Sequence, residues 1–287
     1  MLKIAYGIMS MPKKASRKLL EQIGGLGIMG IDSAKEGFLI KKYMEKKPKL
    51  LKRFLVYDLY SPWALLAELN STHPLTGKRI AKLLGLKVPK PNLKQLYAKF
   101  LVDAFFYFIP IFLPVALGFT SLLLFNSAKL VVAGLVFGAG TGLLLKTLYA
   151  FPFGKASDTS VVELFADLYA SPVRGKLIKL KGKVIGRGIP GFFLSEDWMV
   201  DDGTGILYID YKSWLPGIGE IFFALTKVRE IEGKRGTFVG WFYRKIGGWL
   251  VLKEAEVSGS KIASHPILWH FLLACLLILA GIALMLF

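Results

Sequence analysis

Histidine and cysteine are nearly absent from this chain, and with them goes the chemistry they carry. Three histidines occur in 287 residues, His73, His265 and His270, and none opens an H-E-x-x-H helix. That helix is how metallopeptidases set two imidazoles and a general base on one zinc ion. His265 and His270 are five apart with Pro266 between them, a poor metal pair. The one cysteine, Cys275, lies in an apolar run, so there is no disulfide framework. Negative charge is scarce as well, 20 Asp/Glu against 38 Lys/Arg. Glu196, Asp197, Asp201 and Asp202 cluster without EF-hand spacing and read as a polar turn, not a divalent-cation site. Residues 1–12 lack the basic start, apolar core and cleavage site of a secretory leader, so none is expected there.

Apolar residues, by contrast, make up 54% of the chain, above the roughly 45–50% of soluble proteins. The excess sits in three blocks: 104–125, 130–151 and 267–287. Each has the roughly 20 residues needed to cross a hydrocarbon core about 30 Å thick. A soluble buried helix is seldom apolar all round for that length. Residues 126–129 leave room only for a hairpin turn, so 1–100 and 152–266 are expected on one side of the membrane. Residues 1–100 hold 20 Lys/Arg against 6 Asp/Glu, and 151–266 hold 16 against 13. The positive-inside rule makes that side cytoplasmic, with both soluble parts there and a multi-pass chain in the cell membrane. The same basic excess suits anionic lipid, so the bilayer is the expected partner and nucleic acid is not. Pro110 and Pro114 are expected to kink the first span. Gly134, Gly138 and Gly142 recur every four residues in the second, a stripe that lets helix backbones approach closely. Lys146, near the end of that span, is expected to snorkel.

Residues 1–100 read as a helical region. Gly24, Gly25 and Gly27 interrupt one helix, Asp32-Ser33 caps another over 34–45, and Pro48 ends it. Pro62 suits the first position of a helix through Leu69, and Pro74 opens the next, 75–84. Two strings stand out between them: Tyr57-Asp58-Leu59-Tyr60-Ser61-Pro62-Trp63 and Glu68-Leu69-Asn70-Ser71-Thr72-His73-Pro74-Leu75, followed by Lys78-Arg79-Ile80. On residue pattern alone, this is a capped turn between two helices.

The same strings resemble the C-terminal end of the peptidase domain in HtpX-like membrane zinc metalloproteases. The resemblance covers residues 1–85, its specific part lying between Tyr57 and Ile80. It implies a helical domain remnant in which Ser71, Thr72, His73, Pro74 and Arg79 border the active-site cleft. In that family the zinc-ligand Glu precedes a stretch similar to Leu2-Lys3-Ile4-Ala5-Tyr6-Gly7, so this chain begins just after the ligand. Zinc is thus expected for a complete family domain. No catalytic residue, cofactor or metal ligand is assigned in this chain, because zinc hydrolysis needs three ligands, an open position and a base.

From Pro172 the pattern changes to period two. Strands are expected over 177–186, 198–200, 205–211, 237–243 and 249–253, after a capping box at Ser160–Glu163 and a short helix 161–169. Five strands in so few residues resemble an OB-like barrel, which in other proteins binds ligands by aromatic stacking. Trp198, Tyr208, Tyr211 and Trp241 are the stacking candidates, with the core as their other role. The segment 214–225 is unusually apolar for a loop, dipping into the membrane surface or covering the bundle.

The expected architecture is an α+β membrane protein: helical cytoplasmic region 1–100, transmembrane hairpin 104–151, OB-like domain 160–260 and a third transmembrane helix 267–287. Two functions fit. One is membrane-protein proteolysis or quality control with a zinc-bearing peptidase half and membrane-protein substrates as partners, the chain being inactive alone. The other is a non-catalytic membrane scaffold or regulator with an OB-like interaction domain.

Overall fold

The computed structural model describes residues 55–71, 74–83, 85, 87–188 and 194–287. The expected helices and breaks before residue 55 lie outside the described residues. Residues 55–60 are helical, and Ser61, in extended backbone, leads into α1 (Pro62–Leu69) with Pro62 at its first turn. There the ring costs nothing, because the missing N–H has no helical acceptor. α2 (Thr76–Leu83) follows Pro74.

α3 (Leu93–Phe125) begins where the Asn92 side chain accepts the Gln95 N–H at 3.2 Å, eleven residues ahead of the apolar run expected from the sequence. At 1.5 Å per residue it is about 50 Å long, so its first turns rise beyond a hydrocarbon core. Pro110 and Pro114 lie inside it. Asn126, in the left-handed region at φ 45°, ends it, and α4 (Ala128–Ala150) returns antiparallel. The third helix, α7 (Leu268–Leu286), packs on α4, which is therefore the middle of the bundle. All three are long and apolar enough to cross a membrane. The described N-terminal residues and the β domain lie at the same end of the α3–α4 hairpin.

The β domain is a closed five-stranded barrel. Its strands are β2 (Lys176–Arg187), β3 (Trp198–Asp201), β4 (Ile206–Asp210), β5 (Arg235–Arg244) and β6 (Gly248–Val257). The circuit runs β2-β3-β4-β6-β5 and closes back on β2, all pairs antiparallel except β4 with β6. Closure depends on the length of β2: its first part pairs with β5, its last with β3, and a bulge between Val184 and Gly186 bends it. The short β1 (Ser157–Asp158) adds to β2 and β7 (Ser260–Ala263) to β6. Alternating residues fill the interior: Ile178, Leu180, Val184, Val200, Leu207, Ile209, Phe238 and Leu250, all fully buried.

Two helices extend this core. α5 (Val161–Phe165), shorter than expected, inserts Val161, Leu164 and Phe165. Its N-terminus is held from the β3–β4 turn: Asp202 Oδ2 accepts the Val161 N–H at 2.8 Å and Thr204 Oγ1 the Val162 N–H at 3.3 Å. The acidic turn is therefore a helix cap. The segment expected as a loop is instead α6 (Ile218–Ile231), entered through Gly217 at φ 78°. It buries Phe223, Ala224, Val228 and Ile231 on the barrel.

Candidate functional site

The residues of the family-like strings meet at the start of α2. Asp58 is buried, and its Oδ2 accepts the Gly77 N–H at 2.8 Å. A Cβ at position 77 would stand 2.6 Å from that oxygen, so glycine is required for the carboxylate to reach the backbone. Glu68 Oε1 accepts the Leu75 N–H at 3.2 Å, and Glu68 also bonds the Lys78 ammonium. Two carboxylates thus hold the first turn of α2, whose unpaired N–H groups and dipole favour negative charge. Of the cleft residues implied by the resemblance, Ser71 is exposed and donates its N–H to Glu68 O at 2.9 Å, and Pro74 is exposed. Arg79 is half-buried with its N–H on Leu75 O. Thr72 and His73 lie outside the described residues.

Arg244, at the end of β5, ties this motif to the barrel, a role the sequence reading did not assign. It is fully buried, its guanidinium 3.7 Å above the Tyr57 ring and 5.4 Å from that of Phe165. Its Nη1 donates to Phe165 O, and Tyr57 Oη donates to Arg244 O at 3.1 Å. Burial pushes the Asp58 carboxyl above its ordinary value, while the Arg244 charge and then the Gly77 N–H pull it back down. The family-like segment is therefore packed into the barrel through a buried cation and a buried acid, with Leu55 entering the barrel core itself. No feature of Arg244 in the sequence separates it from the other basic residues closing strands.

A polar belt joins both parts to the helices. Asp103, buried on α3, takes the Lys99 ammonium at 3.1 Å and the Tyr149 hydroxyl at 2.6 Å. Arg174 lies 4.7 Å over the Tyr149 ring, Tyr169 Oη donates to Gln95 Oε1 at 3.0 Å, and Trp63 meets Phe100 edge to face. The Lys146 ammonium lies 4.9 Å over the Tyr107 ring. At the end of α4, the Ala150 carbonyl accepts from Tyr243 Oη at 2.8 Å and the Pro152 carbonyl from Trp241 Nε1 at 2.9 Å. Carbonyls left over at a helix terminus are thus satisfied by the barrel.

Of the four stacking candidates, three are core. Trp198 is fully buried, Tyr211 stacks on Phe223 at 3.9 Å, and Trp241 packs against Phe151. β3 turns Trp198 into the barrel, whereas Trp241 lies on the other face of β5 from Phe242, among Phe151, Leu177 and Ile267. Half-buried Tyr208 spends its hydroxyl on Asp197, which also accepts the Tyr211 N–H at 2.9 Å. Burial pushes the Asp197 carboxyl up to about 6, against the lowering effect of those two donors. Between about pH 4 and 6 the folded barrel holds a proton that the unfolded chain has released, so stability falls as pH rises through that window. Asp197→Asn should remove about 2–3 kcal/mol of that pH dependence, on the scale of 1.36 kcal/mol per pKa unit. Melts followed by circular dichroism on either side of the window should show the wild-type slope and a flatter mutant.

Among the described residues no group of three or more His, Cys, Asp or Glu is placed to hold a metal ion. His265 donates its N–H to Lys212 O at 2.8 Å and His270 Nδ1 lies 3.1 Å from Pro266 O. In comparisons with known proteins, no family model matches the chain, and no curated protein or solved structure is significantly similar to it.

Proposed function

We propose that this chain is the membrane-anchored, barrel-bearing part of an HtpX-like peptidase system, acting in membrane-protein proteolysis with zinc supplied by sequence outside residues 1–287. One observation carries the reading. The segment that resembles the family is built into the protein: Asp58 and Glu68 accept the Gly77 and Leu75 N–H groups at the start of α2, and Arg244 of the barrel closes over Tyr57 beside Asp58. A segment kept in such a scaffold suits presentation of a cleft edge to a zinc-bearing portion. The barrel is proposed to be OB-like, a reading supported by its five-strand closed path and by a helix between its third and fourth strands. Both soluble parts are assigned to the cytoplasmic face, on the Lys/Arg excess of residues 1–100 and the hairpin geometry of α3 and α4.

The test is to isolate the chain from its native membranes in mild detergent and measure zinc and casein hydrolysis. Stoichiometric zinc, cleavage stopped by 1,10-phenanthroline, and an H-E-x-x-H in the same or a co-purified polypeptide are the expected results. A preparation without zinc or cleavage, whose chain starts at Met1, would replace this reading with the non-catalytic scaffold.

A further inference from the structure

Helix α6 has two apolar faces, and the barrel uses one. Phe223, Ala224, Val228 and Ile231 are buried on the barrel, whereas Ile218, Ile221, Phe222 and Leu225 face outward at helical spacing. Ile218 is 73% exposed and Phe222 67%. An outward stripe of large side chains at i, i+3, i+4 and i+7 needs a nonaqueous partner. Arg229 stands one turn beyond Leu225 on the same stripe and is exposed, so the apolar face ends in a cation.

The position of the stripe identifies that partner. Trp214, 63% exposed and just ahead of α6, accepts the Trp269 indole N–H on its carbonyl oxygen at 2.7 Å. Trp269 is in the first turn of α7, one of the three helices able to cross a membrane. The start of α6 is therefore tied to the level at which α7 begins. Two tryptophans at one level fit the headgroup region, where indoles concentrate.

We propose that α6 is an interfacial helix: Ile218, Ile221, Phe222 and Leu225 lie among the acyl chains, and Arg229 reaches the phosphates of anionic lipids. The barrel is then held against the bilayer by its own helix as well as by α4 and α7. This rests on the membrane-spanning reading and not on the peptidase reading. An interfacial helix of this kind combines a large apolar face with basic residues at its border.

Single cysteines placed in a Cys275→Ala background and spin-labelled test it in the full chain, reconstituted in phosphatidylcholine–phosphatidylglycerol vesicles. Labels at Phe222→Cys and Leu225→Cys should collide severalfold more often with oxygen than with a water-soluble nickel chelate. A label at Glu230→Cys should show the reverse. Leu279→Cys, on the exposed side of α7, reads the bilayer itself. Chelate-accessible labels at 222 and 225 would overturn the proposal alone if Leu279 remains lipid-exposed. So would labels shielded from both reagents, the result for a face covered by residues 1–54 or by a second copy. A Leu279 label open to the chelate would overturn the spanning reading and the interfacial helix with it.

Discussion

Arg244→Ala should destabilise the soluble part of the protein by about 3–5 kcal/mol, the range for leaving a buried charge without its compensating neighbour. The side chain fills the space between the Tyr57 and Phe165 rings and donates to the Phe165 carbonyl. Its loss leaves a void, removes a donor from the Phe165 carbonyl and leaves the buried Asp58 carboxyl without its main compensating charge. The pH dependence separates these effects. Arg244 pulls the Asp58 carboxyl down, so removing it lets that carboxyl rise further above the unfolded value. A raised carboxyl costs stability once pH passes the unfolded pKa, and the full cost is reached above the folded one. The mutant should therefore lose most relative to wild type at neutral and alkaline pH, and least in acid. Asp58→Asn in the Arg244→Ala background should recover part of the loss, since the amide can still accept the Gly77 N–H without carrying charge. Thermal melts of the four proteins in the double-mutant cycle give the coupling. Limited proteolysis should also show residues 55–85 cut first in Arg244→Ala. Equal losses at all pH values and no coupling would remove the electrostatic link between segment and barrel.

Some parts of this architecture are legible in the sequence because one physical term dominates locally. A run of some 20 residues with at most one charge has few fates besides a membrane helix, so α4 and α7 lie close to the expected blocks. Period-two alternation likewise marks β2, β5 and β6, where one face must enter the barrel. Failures occur where two surfaces compete for one segment. α6 is apolar on both its barrel face and its outer face, which erases the amphipathic period and leaves a segment that reads as a greasy loop. α3 starts early because Asn92, Lys94, Lys99 and Asp103 form an ordinary capped, charged helix that continues into the span. Trp198 and Trp241 are stacking candidates by residue type, but the closed sheet buries the first and the helix ends cover the second. At the candidate site, the strings Tyr57–Trp63 and Glu68–Ile80 mark where the structure is built. What escapes the sequence is that Asp58 and Glu68 converge on α2 and that Arg244, more than 170 residues later, lies over Tyr57. Nothing local to Arg244 encodes that contact; it is a consequence of chain path.

The second large effect belongs to the helical bundle, and there the two prolines explain the two glycines. Gly138 faces Pro114, and Gly142 faces Pro110: Cβ atoms built at 138 and 142 would stand 2.6 Å and 2.7 Å from the two proline Cα atoms. Both pairs are spaced by four residues and run antiparallel, so one glycine meets one proline per turn. Gly134 continues the seam against Leu117 and Ser121, while Gly140, on another face of α4, meets Ala274 and Ile278 of α7. α4 is thus a central helix whose small residues let backbones, not side chains, form the contact. Gly138→Leu has no side chain to displace, because the obstructing atoms are main chain, and the helices must separate along the whole seam. Overpacking of flexible cores costs roughly 1–3 kcal/mol, and a rigid backbone contact places this variant at or above about 3 kcal/mol. Even Gly138→Ala meets the same 2.6 Å clash and should lose a large share of it. Gly140→Leu should open the α4–α7 seam and leave α3–α4 paired. Distances between spin labels on exposed positions in a Cys275→Ala background distinguish the two, with Leu123→Cys and Val132→Cys for one seam and Val132→Cys and Leu279→Cys for the other. Lengthening of the first distance but not the second in Gly138→Leu is the expected pattern. A bundle that keeps both distances and melts like wild type would mean that the glycine–proline seam does not hold the hairpin.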